Sequence, residues 1–391
     1  MSPDFLRDIA QRVAPRALQH RETLHRNPEP SFQEHATMAY VVEVLTQLGV
    51  EHEANVGGTG VVAYFHSQNS QRWIGLRCEL DALPIQEETH AYYQSTVPGW
   101  MHACGHDVHT AILLGVAEVL AQHTVELPCS VKLIFQPGEE QSPGGANYII
   151  EAGVLHNPPL DFMVALHVYP ELSVGLFGIR SGLYMASSDE IHLEIIGKGG
   201  HGALPQQCIN PLNIAAEIIL HAQLLIDQFQ PEDVPTVLSF GRMEALGATN
   251  VVPSTCSLKG TFRTLNEAWR AEFFELFEDF LRKIEHRYGG EIRLHRNSGY
   301  PFLYNDPQIT SWVEKGLVSQ FGEEAIVPLD YRMTAEDFAF YSHKIPVSFF
   351  RLGVGDPNKA QNYSVHHPKF DIHPDAVQKG IEAMLALLFQ G

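Results

Sequence analysis

Four short stretches, Val61 to His66, Trp73 to Leu80, Ser130 to Phe135 and Phe162 to Val168, are largely continuous in apolar character rather than alternating. A strand that reads this way must be covered on both faces, and a mostly parallel sheet lying between helices supplies that cover. Helical patterns at Asp4 to Leu24 and Ala36 to Leu48 accompany them. Residues 1–186 are therefore predicted to begin an α/β domain built on a mostly parallel central sheet with helices on both faces.

From 187 to 298 the order changes. A strand (Glu190 to Ile196), a helix (Pro211 to Phe229), two strands (Pro235 to Met243, Thr255 to Thr264), a helix (Glu267 to Tyr288) and a strand (Glu291 to His295) follow one another. That is the split β-α-β order of a ferredoxin-like α+β unit. Asn210 before Pro211 and Asn266 before Glu267 are N-cap signals, and Gly289 is a stop signal. Beyond 299 the alternation returns, with helices at Pro307 to Phe321 and Pro374 to Phe389 around a strand at Val347 to Leu352. Residues 187–298 thus read as a domain inserted between 1–186 and 299–391. The length of 391 residues, 45% of them apolar, suits more than one core.

The formal net charge of −20 argues against a nucleic-acid partner and favours a small molecule. The longest apolar run, Ala111 to Ala121, is about half the ~20 residues that span a bilayer, so no membrane segment is expected. Asp4, Arg7, Asp8, Arg12 and Arg16 interrupt the N-terminal region, which lacks the apolar core of a signal peptide. Cys78, Cys104, Cys129, Cys208 and Cys256 are scattered without a Cys-x-x-Cys pair. That usage fits a reducing compartment, and a cytoplasmic location is expected.

The densest chemistry is Met101 to His109, which places His102, Cys104, His106, Asp107 and His109 directly before an apolar helix expected from Thr110. A thiolate and an imidazole two residues apart can reach one ion, and they suit zinc, with manganese, cobalt or nickel as alternatives. Cys104 as a nucleophile paired with His106 is a competing reading, as is a surface loop with incidental histidines. The strand ending at Phe135 leads into Gln136-Pro137-Gly138-Glu139-Glu140, where a parallel sheet presents its ligands. Neighbouring side chains of an extended chain point opposite ways, so one carboxylate can hold metal while the other faces a water. Asp81 ends another strand and can orient a ligand imidazole, with a turn residue before Pro84 as the competing reading. His167, at a strand end, and His366, after a polar loop, are further candidates, though a lone strand histidine such as His167 is more often a satisfied core residue and His366 by itself is equally ambiguous. Cys104, His106, Glu140, His167 and His366 make five donors, more than the three usual at one catalytic zinc, which points to two ions. Gly197-Lys198-Gly199-Gly200-His201-Gly202 lacks the spacing of a phosphate loop. Flexible glycines there would let His201 approach a substrate closely.

Taken in order, Arg77-Cys-Glu-Leu-Asp-Ala-Leu-Pro84, Met101 to His109, Pro137-Gly-Glu-Glu140, Gly197 to Pro205, Thr249-Asn-Val-Val-Pro253, Ala335-Glu-Asp-Phe338 and His366-His-Pro368 span nearly the whole chain. The chain resembles the zinc-peptidase-like amidohydrolases of the aminoacylase and carboxypeptidase superfamily, in the branch of hippurate hydrolase, auxin-conjugate hydrolases and N-acetyldiaminopimelate deacetylase. The resemblance implies two divalent ions on Cys104, His106, Glu140, His167 and His366, with Glu139 as general acid/base. It further implies an inserted lid domain that forms a homodimer, His201 supporting the oxyanion, Asn250 holding substrate, and Arg263 meeting a substrate carboxylate. Glu79 stands where the branch usually has Asp and is expected to matter little. Asn210, Gln206 and Thr334 also depart from the usual residues, and the last two bear on substrate choice.

The expected reaction is hydrolysis of an N-acyl amino acid to a carboxylic acid and a free amino acid. The alternatives are a dipeptidase or carboxypeptidase on the same site and a metal-retaining binding protein without catalysis.

Overall fold

The structure, a computed structural model, describes residues 1–123 and 127–390. In chain order its elements begin with α1 (Pro3–Arg26), α2 (His35–Gln47), β1 (Glu51–Val56), β2 (Gly60–Phe65), β3 (Trp73–Glu79), α3 (His106–Gln122), β4 (Ser130–Gln136), α4 (Gly145–Glu151), β5 (Phe162–Ser173), β6 (Phe177–Ile179) and β7 (Gly182–Met185). There follow β8 (Asp189–Ile196), β9 (Gly200–His201), α5 (Pro211–Phe229), β10 (Thr236–Glu244), β11 (Val251–Val252), β12 (Thr255–Thr264), α6 (Glu267–Tyr288) and β13 (Glu291–Ser298). The chain ends with β14 (Leu303–Asn305), α7 (Pro307–Phe321), β15 (Ile326–Pro328), α8 (Ala339–Ser342), β16 (Val347–Gly355) and α9 (Asp375–Phe389). Two compact units result: Met1–Leu183, Tyr304–Tyr331 and Asp337–Gly391 form the first, Tyr184–Leu303 and Arg332–Glu336 the second.

In the first unit eight strands form one sheet in the order β1-β2-β4-β3-β5-β16-β6-β15. Its centre, β4-β3-β5-β16, is parallel, while β1, β2 and β6 supply the antiparallel pairings. All residues of β3, β4 and β16 are buried, which is why their sequences carry no alternation. The edge strand β1 has only Ala54 and the buried Val56 as apolar residues, so hydrophobic periodicity does not reveal it. Helices α1, α3 and α9 pack together, joining Val13, Ala17, Val116, Ile381 and Leu385 in one core. The chain visits β3, then β4 on one side, then β5 on the other, and such a reversal opens a crevice at the carboxyl ends of the strands. Glu79 pairs with Gln136 and Arg77 with Ala165, so the ends of β3 and β4 and the later part of β5 come out along one edge.

α3 begins at His106 rather than Thr110, after Gly105 at φ 83°. Asp107 and His109 therefore belong to its first turn, buried with the rest of the helix up to Leu120.

The second unit carries a four-stranded antiparallel sheet in the order β10-β12-β8-β13. With α5 after β8 and α6 after β12 this is the ferredoxin-like βαββαβ arrangement. Ile191, Leu193 and Ile195 of β8 share a core with Ile214 and Ile218 of α5 and with Phe273, Phe277 and Leu281 of α6. Asn210 accepts from the Leu212 N–H at 3.0 Å and Asn266 from the Trp269 N–H at 3.0 Å, while Gly289 ends α6 at φ 73°. Among the described residues no helix is long and apolar enough to cross a membrane.

Candidate metal centre

At the carboxyl edge of the first unit's sheet, overlapping groups of donors form. Cys104, His106 and His167 make one, Cys104, Glu140 and His366 a second, and His106, Glu139 and Glu140 a third, the donor atoms of each lying within 4.8 Å of one another. The thiol of Cys104 is common to two groups, with His167 Nε2 and His366 Nε2 each 3.3 Å from its sulfur. His366 Nε2 is also 3.2 Å from Glu140 Oε1. All five donors proposed from sequence come together here, with Glu139 beside them.

The imidazoles are oriented for ligation. His106 Nδ1 lies 2.9 Å from the Asp81 carbonyl oxygen and 3.1 Å from Asp81 Oδ1, so this nitrogen donates and Nε2 keeps its lone pair. His106 Nε2 is buried and has no hydrogen-bond partner among the described residues. In the same way His167 Nδ1 donates to the Val168 carbonyl at 2.8 Å and turns Nε2 toward Cys104. His366 adopts φ 65°, an uncommon conformation for a non-glycine residue, and its N–H donates to the Ala103 carbonyl at 2.8 Å. That bond docks the 366 loop on the loop that carries Cys104.

Glu139 and Glu140 do not diverge as they would in an extended chain. Gly138, at φ 57°, breaks the extension, and both carboxylates join the group around His106. The backbone of this turn is clamped from two sides. Glu34 Oε1 accepts from the Gly138 N–H at 2.8 Å and the Phe32 N–H at 2.9 Å, and its other oxygen meets the Thr59 hydroxyl. Asp81 Oδ2 accepts from the Glu140 N–H at 2.9 Å and the Ser31 hydroxyl at 2.7 Å. The Phe32 ring lies over Gly138, where a Cβ would come within 2.4 Å of it.

The electrostatics fit a cation. Burial would lower the His106 pKa, but the Asp81 hydrogen bond and the charges of Glu79, Asp81 and Glu140 together push it up to about 10. Burial and the charges of Glu140 and Glu139 push the Cys104 thiol well above its usual range. A free nucleophile needs the opposite shift, whereas a bound divalent cation removes the thiol proton outright. The orphaned ring nitrogen, the excess of carboxylates and a sulfur shared by two donor groups together match a two-cation site.

The second unit places its candidates differently. His201 pairs with Val251 across the β9-β11 ribbon and is exposed, its Nδ1 accepting from the Ala203 N–H at 3.1 Å. Nε2 then carries the proton and is a donor. Asn250 is exposed, and its carbonyl accepts from the Gly202 N–H at 2.8 Å. Arg263, on β12, is partly buried near Asp189 and Glu190, and burial lowers its pKa. The glycines around His201 are not there for flexibility. A Cβ on Gly197 would lie 2.1 Å from the Ile209 carbonyl oxygen and one on Gly199 2.8 Å from that of Val252, so close backbone packing requires them. Gln206 is exposed in this unit, and the Thr334 carbonyl accepts from the Ala186 N–H at 3.0 Å.

The pattern that defines peptidase family M20/M25/M40 matches residues 75–390. The chain belongs to that family. It is a metal-dependent hydrolase. The thermostable carboxypeptidase 2 of Saccharolobus solfataricus is 34% identical to it over 379 residues, covering 95% of each chain. The N-acetyl-L-cysteine deacetylase of Bacillus subtilis is 34% identical over 363 residues, 92% of this chain and 84% of that one. A solved structure from Bacillus subtilis, described as a dinuclear metal binding peptidase of the M20 family, matches with a TM-score of 0.82 at 30% identity, covering 97% of this chain and 98% of that one.

This M20 chain also brings to the site two carboxylates that the sequence reading left out or discounted. Glu34 is one: 104 positions separate it from Gly138, and no local signal predicts the contact. Glu79, expected to matter little, is fully buried, pairs with Arg77 and accepts from His109 Nδ1 at 2.7 Å. His109 Nε2 in turn accepts from the Val168 N–H at 2.9 Å, which excludes it as a ligand in this arrangement. Asp107 faces away from the donors, accepting from Arg21 Nε at 3.0 Å and His25 Nδ1 at 2.8 Å. Its burial would raise its pKa, yet the charges of His25 and Arg21 hold it well below the usual carboxylate range.

Proposed function

We propose that this hydrolase cleaves the amide bond of N-acyl amino acids, releasing a carboxylic acid and a free amino acid. The observation that carries the reading is the meeting of two donor groups at Cys104 with the Glu139 carboxylate alongside. Cys104, His106, Glu140, His167 and His366 would hold two divalent cations, zinc or manganese by donor type. Such a pair, when bound, polarises a carbonyl and acidifies water. Glu139 is buried, and its Oε1 is held by the Asp337 N–H at 3.4 Å. It takes a proton from the attacking water and returns it to the leaving amine. Asp81 keeps His106 in the ligating tautomer. His201 offers its Nε2–H to the oxyanion, Asn250 holds the substrate, and Arg263 receives its carboxylate.

The relatives favour two activities on such a site, a deacetylase and a carboxypeptidase. A panel of acetyl-, benzoyl- and indole-acetyl-amino acids beside dipeptides separates them, and preferential dipeptide cleavage would favour the peptidase reading. Glu139→Gln is expected to lower turnover by about 10²–10⁴-fold while two equivalents of zinc still bind. Near-normal turnover overturns the assignment of Glu139.

The reading includes a homodimer through the second unit. Leu220 and Leu224, one helical turn apart on α5, are 70% and 52% exposed, and β10 is an edge strand. Sedimentation of a Leu220→Glu, Leu224→Glu variant as a dimer would remove this support.

A further inference from the structure

One buried side chain ties together the two halves of the donor cluster. Arg77, in β3, is 1% exposed and spreads its guanidinium over three acceptors. Nη1 meets Glu79, Nε donates to Gln136 Oε1 at 3.0 Å, and Nη2 donates to Asp337 Oδ1 at 2.5 Å. From Glu79 the connection runs through His109 to the Val168 N–H, one residue past His167. The His109 and His167 rings are 4.7 Å apart between centroids. From Asp337 it runs to Glu139, because the carboxylate of Asp337 is anchored while its own N–H reaches Glu139 Oε1. Gln136 Nε2 at 2.8 Å and the Ala146 N–H at 2.9 Å complete that anchorage.

We propose that Arg77 is a positioning residue that sets the His167 imidazole through Glu79 and His109, and the Glu139 carboxylate through Asp337. The proposal rests on the preceding reading of His167 as ligand and Glu139 as proton carrier. Glu79 and Asp337 are both fully buried, and without a cation between them they would repel each other. A lysine supplies the charge as a single point, but it cannot present three donors in fixed directions to three acceptors. Charge compensation and positioning therefore separate on substitution.

The test is Arg77→Lys beside wild type, read by thermal melting, by the zinc isotherm of metal-free protein, and by kcat and KM. A folded variant with kcat lowered about 10–100-fold, KM little changed and zinc affinity weakened about tenfold is the expected result. Wild-type kcat and zinc affinity in Arg77→Lys would reduce Arg77 to a counter-ion and overturn the proposal. Should Arg77→Lys not fold, Glu79→Asp keeps every charge while withdrawing one methylene from His109. It is expected to weaken zinc binding about tenfold, and an unchanged isotherm overturns the His167 arm. The parent reading fails separately, through turnover by Glu139→Gln, and the zinc isotherms do not depend on Glu139 carrying a proton.

Discussion

Cys104, His106 and His167 of the first unit are buried, and the last two are held by neighbours that are themselves buried, whereas His201 of the second unit is exposed and its ring accepts from the Ala203 N–H. The contrast follows from what each arrangement must resist. Several carboxylates crowd the first cluster, and their mutual repulsion would spread an unbraced set of donors. Asp81, Glu34 and Arg77 oppose that spread by fixing backbone N–H groups and side-chain oxygens in place. Among the described residues His201 belongs to no carboxylate-rich donor group, and a fixed tautomer is enough to present a donor.

Substitutions on the two sides should therefore fail in different ways. His201→Asn is expected to cost the most in rate, about 10²–10³-fold in kcat, with the melting temperature and zinc isotherm left as in wild type. A weakened isotherm would break the comparison by showing that His201 supports the metal donors. Asp81→Asn should act on the isotherm first, weakening zinc binding about 10–100-fold, because His106 loses the charged acceptor that fixes its tautomer. An unaltered affinity would mean that the backbone carbonyl of Asp81, 2.9 Å from His106 Nδ1, holds the ring without the carboxylate. Glu34→Ala is the mildest of the three, lowering stability by about 1–3 kcal/mol for each backbone N–H left unpaired at Gly138 and Phe32. Glu34→Gln retains an acceptor and should recover most of this in a urea titration; failure to do so would place the importance of Glu34 in its charge.

Much of the architecture is visible in local pattern. Asn210 and Asn266 act as N-caps because their side chains reach backbone groups only two or three residues away, and that geometry is present in any sequence window. The buried strands β3 and β4 are legible because burial on both faces leaves an apolar record. β1 leaves none, being mostly polar at the sheet edge. The donors were readable as chemical types, and Cys104 with His106 also as a spacing. The glycines at 197 and 199 were legible as glycines, but their reason was not, since it lies in the carbonyls of Ile209 and Val252.

Residue types and their order are enough to single out a thiol, three imidazoles and two carboxylates as metal-site chemistry, and to separate a parallel α/β region from a ferredoxin-like one. Which of these groups touch, and what steadies them, is decided by the register of β3, β4 and β5 and by loops far apart in the chain. Glu79 shows the difference most clearly, for as a letter in a motif it is a conservative exchange. In the folded chain it is a buried charge between Arg77 and His109, and no local pattern encodes a contact made 30 residues away.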